Sequence, residues 1–270
     1  MTKPQYSRLH KTYFRNGENH RGGADVSFAD IVKVFGFRGI EVGKWVTREE
    51  QQIAANLFFD ALCDLMDILQ VPESVISLNG TLALAFGVGG RKHVSAHYDS
   101  SKRQLALAKN AGGGSLAHEW FHAFDHFISQ RMFTRQQANQ FATEMWLNDI
   151  EPMVAHPLNR RLERAFKAML LDDTGNAPSD LVKHSVAADS LHKSFYFARP
   201  QELGARSFES MVQAHPIKNA FLVNGTTQSQ EAKMGLYPQD QSLLHISQHL
   251  MEYFYFLGQA LQHKYDSEQR

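Results

Sequence analysis

The sequence predicts an α+β fold, with a small mixed sheet packed on one long helix and a mainly helical C-terminal half. Three observations carry this. Short apolar runs broken by Gly and Asn occupy residues 75 to 108, the pattern of strands joined by turns. The next run, SLAHEWFHAFDHFISQRMF, has the apolar spacing of a helix. From residue 134 onward every apolar pattern is helical.

Taken in order, residues 1–34 are polar and contain Asn16-Gly17 and Arg21-Gly22-Gly23, which reads as an N-terminal arm. FGFRGIEVGKWV (35–46) alternates aromatic or branched residues with Gly and is expected to form a short extended element or irregular turn. Thr47 and Glu50 fit a capping box. Apolar residues then recur at 54, 57, 58, 61, 62, 65, 68 and 69, giving a long amphipathic helix that stops before Pro72. VISLNG, TLALAFGVGG, VSAHYD and QLALAKN read as three or four strands of one sheet. After the glycines 112–114, Ser115 is a plausible N-cap for the next helix. Further helices are expected at about 135–148, 157–171, 179–192, 200–214 and 239–264, with a polar loop at 215–238. The expected organisation is an arm (1–34), one domain (35–215), and a loop with a C-terminal helix on the same body (216–270).

The chain has 270 residues, enough for a full hydrophobic core, and 28 basic residues balance 28 acidic ones. A balanced surface gives no long-range attraction to phosphate backbones or anionic lipid, so neither nucleic acid nor membrane is an expected partner. Cys63 is the sole cysteine, which excludes an internal disulfide and a Cys-based zinc cage. The first residues, MTKPQYSRLHK, lack the apolar core of a signal peptide, and no apolar run approaches the ~20 residues of a membrane span. A cytoplasmic location is expected. The unusual count is 14 histidines.

His118-Glu119-Trp120-Phe121-His122 is an H-E-x-x-H pattern on a strongly helical stretch. Positions i and i+4 share a helix face, so both imidazoles can hold one metal, with Glu119 beside them as base toward a metal-bound water. The alternative is a helix with two solvent-facing histidines. His126 lies eight residues after His118, about 12 Å along a helix, too far for a shared tetrahedral ion. It is expected as an outer group or a packed residue. Asp125 faces within about 20° of His118; it either orients an imidazole or makes a local polar contact.

A catalytic zinc needs a third protein ligand from another element. In RPQELGARSFE (199–209), Pro200 suits a first helical turn, and Gly204 and Ala205 allow close approach to a neighbour. Glu202 is the first choice and Glu209, on the same face, the second choice or an outer group. Pairing of Glu202 with Arg206 is the ordinary alternative. Glu144, Glu163 and the His245/His249 pair compete, the pair being better explained as packing.

FGFRGIEVGKWV, ISLNGTLALAFG, AHYD and AGGGSLAHEWFHAFDH, in that order, resemble the large polyvalent protein-associated domain 1, a bacterial and phage domain with a zincin-like H-E-x-x-H. The resemblance covers roughly residues 35 to 210. More distantly, HEWFHAFD and ELGARSF are similar to the catalytic domain of anthrax lethal factor, a gluzincin-type metallopeptidase. There an H-E-x-x-H-A-x-D helix is completed by a Glu that opens E-x-x-A-x-x-F. The resemblance implies a zincin-like fold, His118, His122 and Glu202 as Zn²⁺ ligands, and Glu119 as base. It also implies a tyrosine upstream of the ligand Glu assisting the oxyanion, a position that Tyr196 could fill. Two departures stand out: Phe121 occupies a site that is small in lethal factor and is expected to crowd the substrate side. Arg206 replaces an acidic residue, so Asp125, His126, Arg206 and Glu209 would form a different outer shell.

The expected function is zinc-dependent hydrolysis of a peptide bond in a peptide or protein substrate, with Tyr196 or Tyr98 as oxyanion donor. AHYD is a candidate strand for pairing with substrate. The rival reading is a catalytically inactive zincin-like binding or scaffold protein associated with a mobile element or phage. A complete H-E-x-x-H favours the enzyme, since binding alone does not require Glu119.

Overall fold

A computed structural model describes residues 8–88, 96–108, 113–135 and 139–268. Among them are ten α-helices and one four-stranded mixed sheet, a mainly helical α+β architecture. None of these helices is long and apolar enough to cross a membrane. The chain divides into two compact units: Met1–Ile68 with Pro72–Ala123 and His215–Asn224, and Leu69–Val71 with Phe124–Ala214 and Gly225–Arg270.

The first unit opens with α1 (Phe28–Phe35), all but its last residue falling in the segment expected to be an arm. Ser27 and Asp30 form a capping box there, and Phe28, Ile31 and Phe35 are buried. Arg15 anchors the preceding residues through Nε and Nη2 bonds of 2.6 and 2.7 Å to the fully buried Asp64. Burial pushes the Asp64 carboxyl above the ordinary carboxylate range, against the opposing pull of Arg15 and Asn219. β1 (Ile40–Val42) supplies the extended element expected in 35–46. α2 (Arg48–Leu69) has the expected cap: the Thr47 N–H donates to Glu50 Oε2 at 2.8 Å, and the Glu50 N–H donates to Thr47 Oγ1 at 3.2 Å. The expected apolar stripe is buried except at Leu57, which is partly exposed.

VISLNG is not a strand. Residues Glu73–Ile76 form the short helix α3, and Leu78, Asn79 and Gly80 then all take positive φ. The Leu78 and Asn79 N–H groups bond back to Val75 and Ser74. Three successive left-handed residues close a tight turn that an extended strand cannot contain. The sheet follows, with β2 (Ala83–Phe86), β3 (Ala96–Asp99) and β4 (Gln104–Leu107) in the spatial order β1-β2-β4-β3. β1, β2 and β4 run parallel, while β3 is antiparallel to β4. All four β2 residues are buried, as expected of a strand covered on both faces. Phe28, Phe58, Phe86 and Phe221 form a ring cluster with neighbouring centroids 5.6–6.3 Å apart.

α4 (Leu116–Met132) begins in the first unit and ends in the second. Its entry is fixed by a close approach: a β-carbon at Gly113 would overlap the Phe221 ring. The Gly114 N–H donates to the Phe221 carbonyl at 2.7 Å, and Ala117 N–H donates to Leu222 at 3.1 Å. Ser115 accepts the first helical bond, from Glu119 N–H at 3.2 Å. Gly112 and the first residues of VSAHYD lie outside the described residues.

The second unit contains α5 (Ala142–Leu147), α6 (Pro157–Leu170), α7 (Asp180–His192), α8 (Pro200–Ala214), α9 (Gln230–Lys233) and α10 (Asp240–Glu268). α5 is shorter than the helix expected at 135–148, of which 136–138 lie outside the described residues; the others match their expected spans closely. The loop 215–238 also carries α9 and one 3₁₀ turn at Thr226–Gln228. α8 is buried at every position from Glu202 to Val212, which makes it a helix enclosed on all sides. Phe254 on α10 packs against Phe124 and Phe208, with centroids 5.2 and 6.0 Å away.

Candidate metal centre

The first turns of α4 carry the H-E-x-x-H residues on one helix with two kinds of face. Trp120 and Phe121 are fully buried, and the Trp120 indole donates to the Ile76 carbonyl at 2.9 Å. Phe121 therefore belongs to the hydrophobic core and does not crowd an open substrate side, as its sequence position had implied. His118 and Glu119 are partly exposed, while His122 is buried. The Nε2 atoms of the two histidines lie 3.2 Å apart. A tetrahedral zinc with bonds of about 2.05 Å has an edge of roughly 3.3 Å, so the pair already stands at ligand spacing.

His118 and His122 thus form, within the first unit, a pair of donors that could share one ion, while Glu202, the third expected ligand, belongs to the second unit. Two imidazoles completed by one carboxylate would suit zinc, iron or manganese. Glu202 sits in the first turn of α8 and is buried. Competing ligands are placed in other contacts. Glu163 pairs with Lys167 at 2.8 Å, and His249 approaches Glu252 at 3.8 Å, beside an exposed His245.

Glu119 accepts a 2.7 Å hydrogen bond from the backbone N–H of Tyr98 on β3, one of the two outer strands of the described sheet. That backbone donor of β3 is thus engaged by the Glu119 carboxylate. No side-chain pattern announces a backbone donor, so this bond was not legible in the sequence. Burial pushes the Tyr98 phenol up, which keeps it protonated.

Asp125 is fully buried and accepts from Thr143 N–H at 2.9 Å and Thr143 Oγ1 at 2.6 Å. It thus satisfies a donor of the first turn of α5. His126 is buried and packs near Phe141, with ring centroids 5.7 Å apart. Arg206 is buried below Glu202 on α8. Its Nε donates to the Leu236 carbonyl at 2.7 Å, and Nη2 donates to Phe197 O at 2.6 Å and Ser185 Oγ at 3.1 Å. Burial lowers its guanidinium pKa, and Glu202 is the foremost of the negative groups opposing this. Tyr237 Oη donates to Glu209 Oε2 at 3.4 Å.

Tyr196 lies in the turn that leads into α8, 45% exposed, with its ring against Phe197. Asp189, which the sequence reading missed, organises that turn. Its carboxylate accepts from Ser194 Oγ (2.6 Å) and from the N–H groups of Tyr196, Phe197 and Ala198 (2.8–3.0 Å). Burial opposes the charge, but these donors hold the Asp189 carboxyl at about 2. Because this pKa lies below the ordinary carboxylate value, the turn keeps its full stabilisation above roughly pH 4 and loses it as pH falls through about 2. Hydrogen exchange should therefore find the Tyr196, Phe197 and Ala198 amides protected at pH 4, and exposed at pH 7 in Asp189→Ala. Undiminished protection in that variant would show that other contacts hold the turn.

Residues 188–261 match the family described as large polyvalent protein-associated domain 1. The matched span contains Tyr196, Glu202, Arg206 and Glu209 and lies C-terminal to His118 and His122, overlapping the resemblance at 35–210 only at its end. No curated protein and no solved structure gives a significant match to the chain.

Proposed function

We propose that the protein is a zinc-dependent metallopeptidase of gluzincin type, with His118, His122 and Glu202 holding the ion. The observation that carries this reading is the pairing of the His118 and His122 Nε2 atoms, 3.2 Å apart, beside Glu119. A zinc ion held there would polarise a water and a substrate carbonyl, lowering the water's pKa to about 7. Glu119 takes the proton of the attacking water and passes it to the leaving amine. The Tyr98 N–H steadies Glu119 until substrate arrives, and β3 offers its open edge to an extended peptide. Tyr196, or the protonated Tyr98 phenol, donates to the developing oxyanion. The lethal-factor-like spacing of E-x-x-A-x-x-F at Glu202, Ala205 and Phe208 supports the assignment of Glu202.

Metal analysis of protein purified without chelator or polyhistidine tag tests the ligand set. About one zinc per chain is expected in the wild type and none in a folded Glu202→Ala variant. Zinc retained by the variant would move the third ligand elsewhere. A wild type that takes up no metal, even from added zinc, would overturn the enzyme reading. Stoichiometric zinc without any peptide cleavage would instead leave the non-catalytic binding module.

A further inference from the structure

The second unit holds a cavity of about 810 Å³ at the start of α6, far along the chain from the H-E-x-x-H residues. Its wall combines Met153 and Val154 with His156, Arg160, Arg161 and Arg164. A volume of this order matches a small-molecule site.

The charges in this wall are not balanced locally. Arg161 and Arg164 share a single carboxylate, Glu252, at 3.5 and 3.0 Å. Glu163, the one acidic group in the lining, is engaged by Lys167 at 2.8 Å. Arg160 is exposed and has no ion-pair partner among the described residues. The Arg161 guanidinium lies 3.8 Å from the Phe256 ring centroid, and its buried Nε makes no hydrogen bond. That stacking fixes the fork in place, so little rotamer freedom is lost when it binds.

Two further features point the same way. The first turn of α6 contains no acidic residue, although the positive end of a helix dipole favours one. Arginine at 160 and 161 adds positive charge to positive potential, a cost that an anion would relieve. His156 Nδ1 accepts the Leu158 N–H at 3.2 Å, which leaves its Nε2 as the proton-bearing atom.

We propose that this cavity binds a small organic oxyanion, with a phosphate or paired-carboxylate head in the arginine forks and an apolar body against Met153 and Val154. Guanidinium forks match such heads bidentately. The site stands independently of the metal centre and of peptide hydrolysis.

Calorimetric titration of the full chain at physiological salt tests this with phenyl phosphate and phthalate, which present the two heads on one aromatic body. Saturable binding of either, with Kd below about 1 mM, is expected, and the tighter probe identifies the head. Arg160→Ala, at an exposed position, should weaken binding about tenfold, while Lys33→Ala on α1 should leave it unchanged. Failure of both probes to saturate would overturn the proposal. So would unaltered binding in Arg160→Ala, or equal weakening in Lys33→Ala, which would reduce the effect to general charge attraction.

Discussion

Glu119→Gln is expected to lose peptide hydrolysis by about 10²–10⁴-fold while keeping its zinc, because the amide cannot take a proton from water. The change is conservative in shape: the Gln oxygen can still accept the Tyr98 N–H that Glu119 Oε2 accepts at 2.7 Å. Folding and ligand geometry should therefore survive, which separates loss of the base from loss of the site. Cleavage of an unfolded peptide library, read by mass spectrometry, measures the first; metal content measures the second. Equal turnover by wild type and variant would remove Glu119 from the mechanism.

The largest effect on stability is expected from Trp120→Ala. Trp120 is fully buried, and its indole donates to the Ile76 carbonyl at 2.9 Å. Removing it leaves a cavity in the first unit and an unpaired buried carbonyl, together costing about 4 kcal/mol or more. Typical total stabilities are only about 5–15 kcal/mol, so a large share of the folded population is at risk. Trp120→Phe keeps most of the apolar volume and should cost about 1–2 kcal/mol, chiefly through the lost hydrogen bond. Urea unfolding of the two variants checks this order. A loss below about 1 kcal/mol in Trp120→Ala would mean that the core around α4 closes over the gap.

The sequence was most informative where local chemistry decides the structure. Thr47 and Glu50 cap α2 through bonds within four residues, and helices α6, α7, α8 and α10 follow apolar spacing strong enough to read directly. His118 and His122 were legible for the same reason, since four residues on a helix place two side chains together without help from elsewhere. Glu202 was reached differently. Its segment made it the first choice among several carboxylates, and the resemblance to E-x-x-A-x-x-F strengthened that choice; no spacing within α8 discloses that the helix is enclosed on all sides. VISLNG misled because Val75 and Ile76 look like strand residues, while the left-handed run at 78–80 that bends the chain carries Leu first, a residue that seldom marks such a turn. Asp189 gathers donors five to nine residues downstream, a range beyond helical or strand periodicity. The Ser194 hydroxyl before Pro200 was the available hint.

The bond between Tyr98 and Glu119 also bears on how the sheet edge meets other chains. β3 is one of the two outer strands of the described sheet, and an unprotected strand edge invites pairing with other chains. Glu119 covers a donor on that edge with its carboxylate, which discourages pairing there with another chain. Replacing Glu119 with an apolar residue would uncover that donor and should make the chain aggregate more readily. The carboxylate at 119 therefore shields the sheet edge whether or not the site turns over.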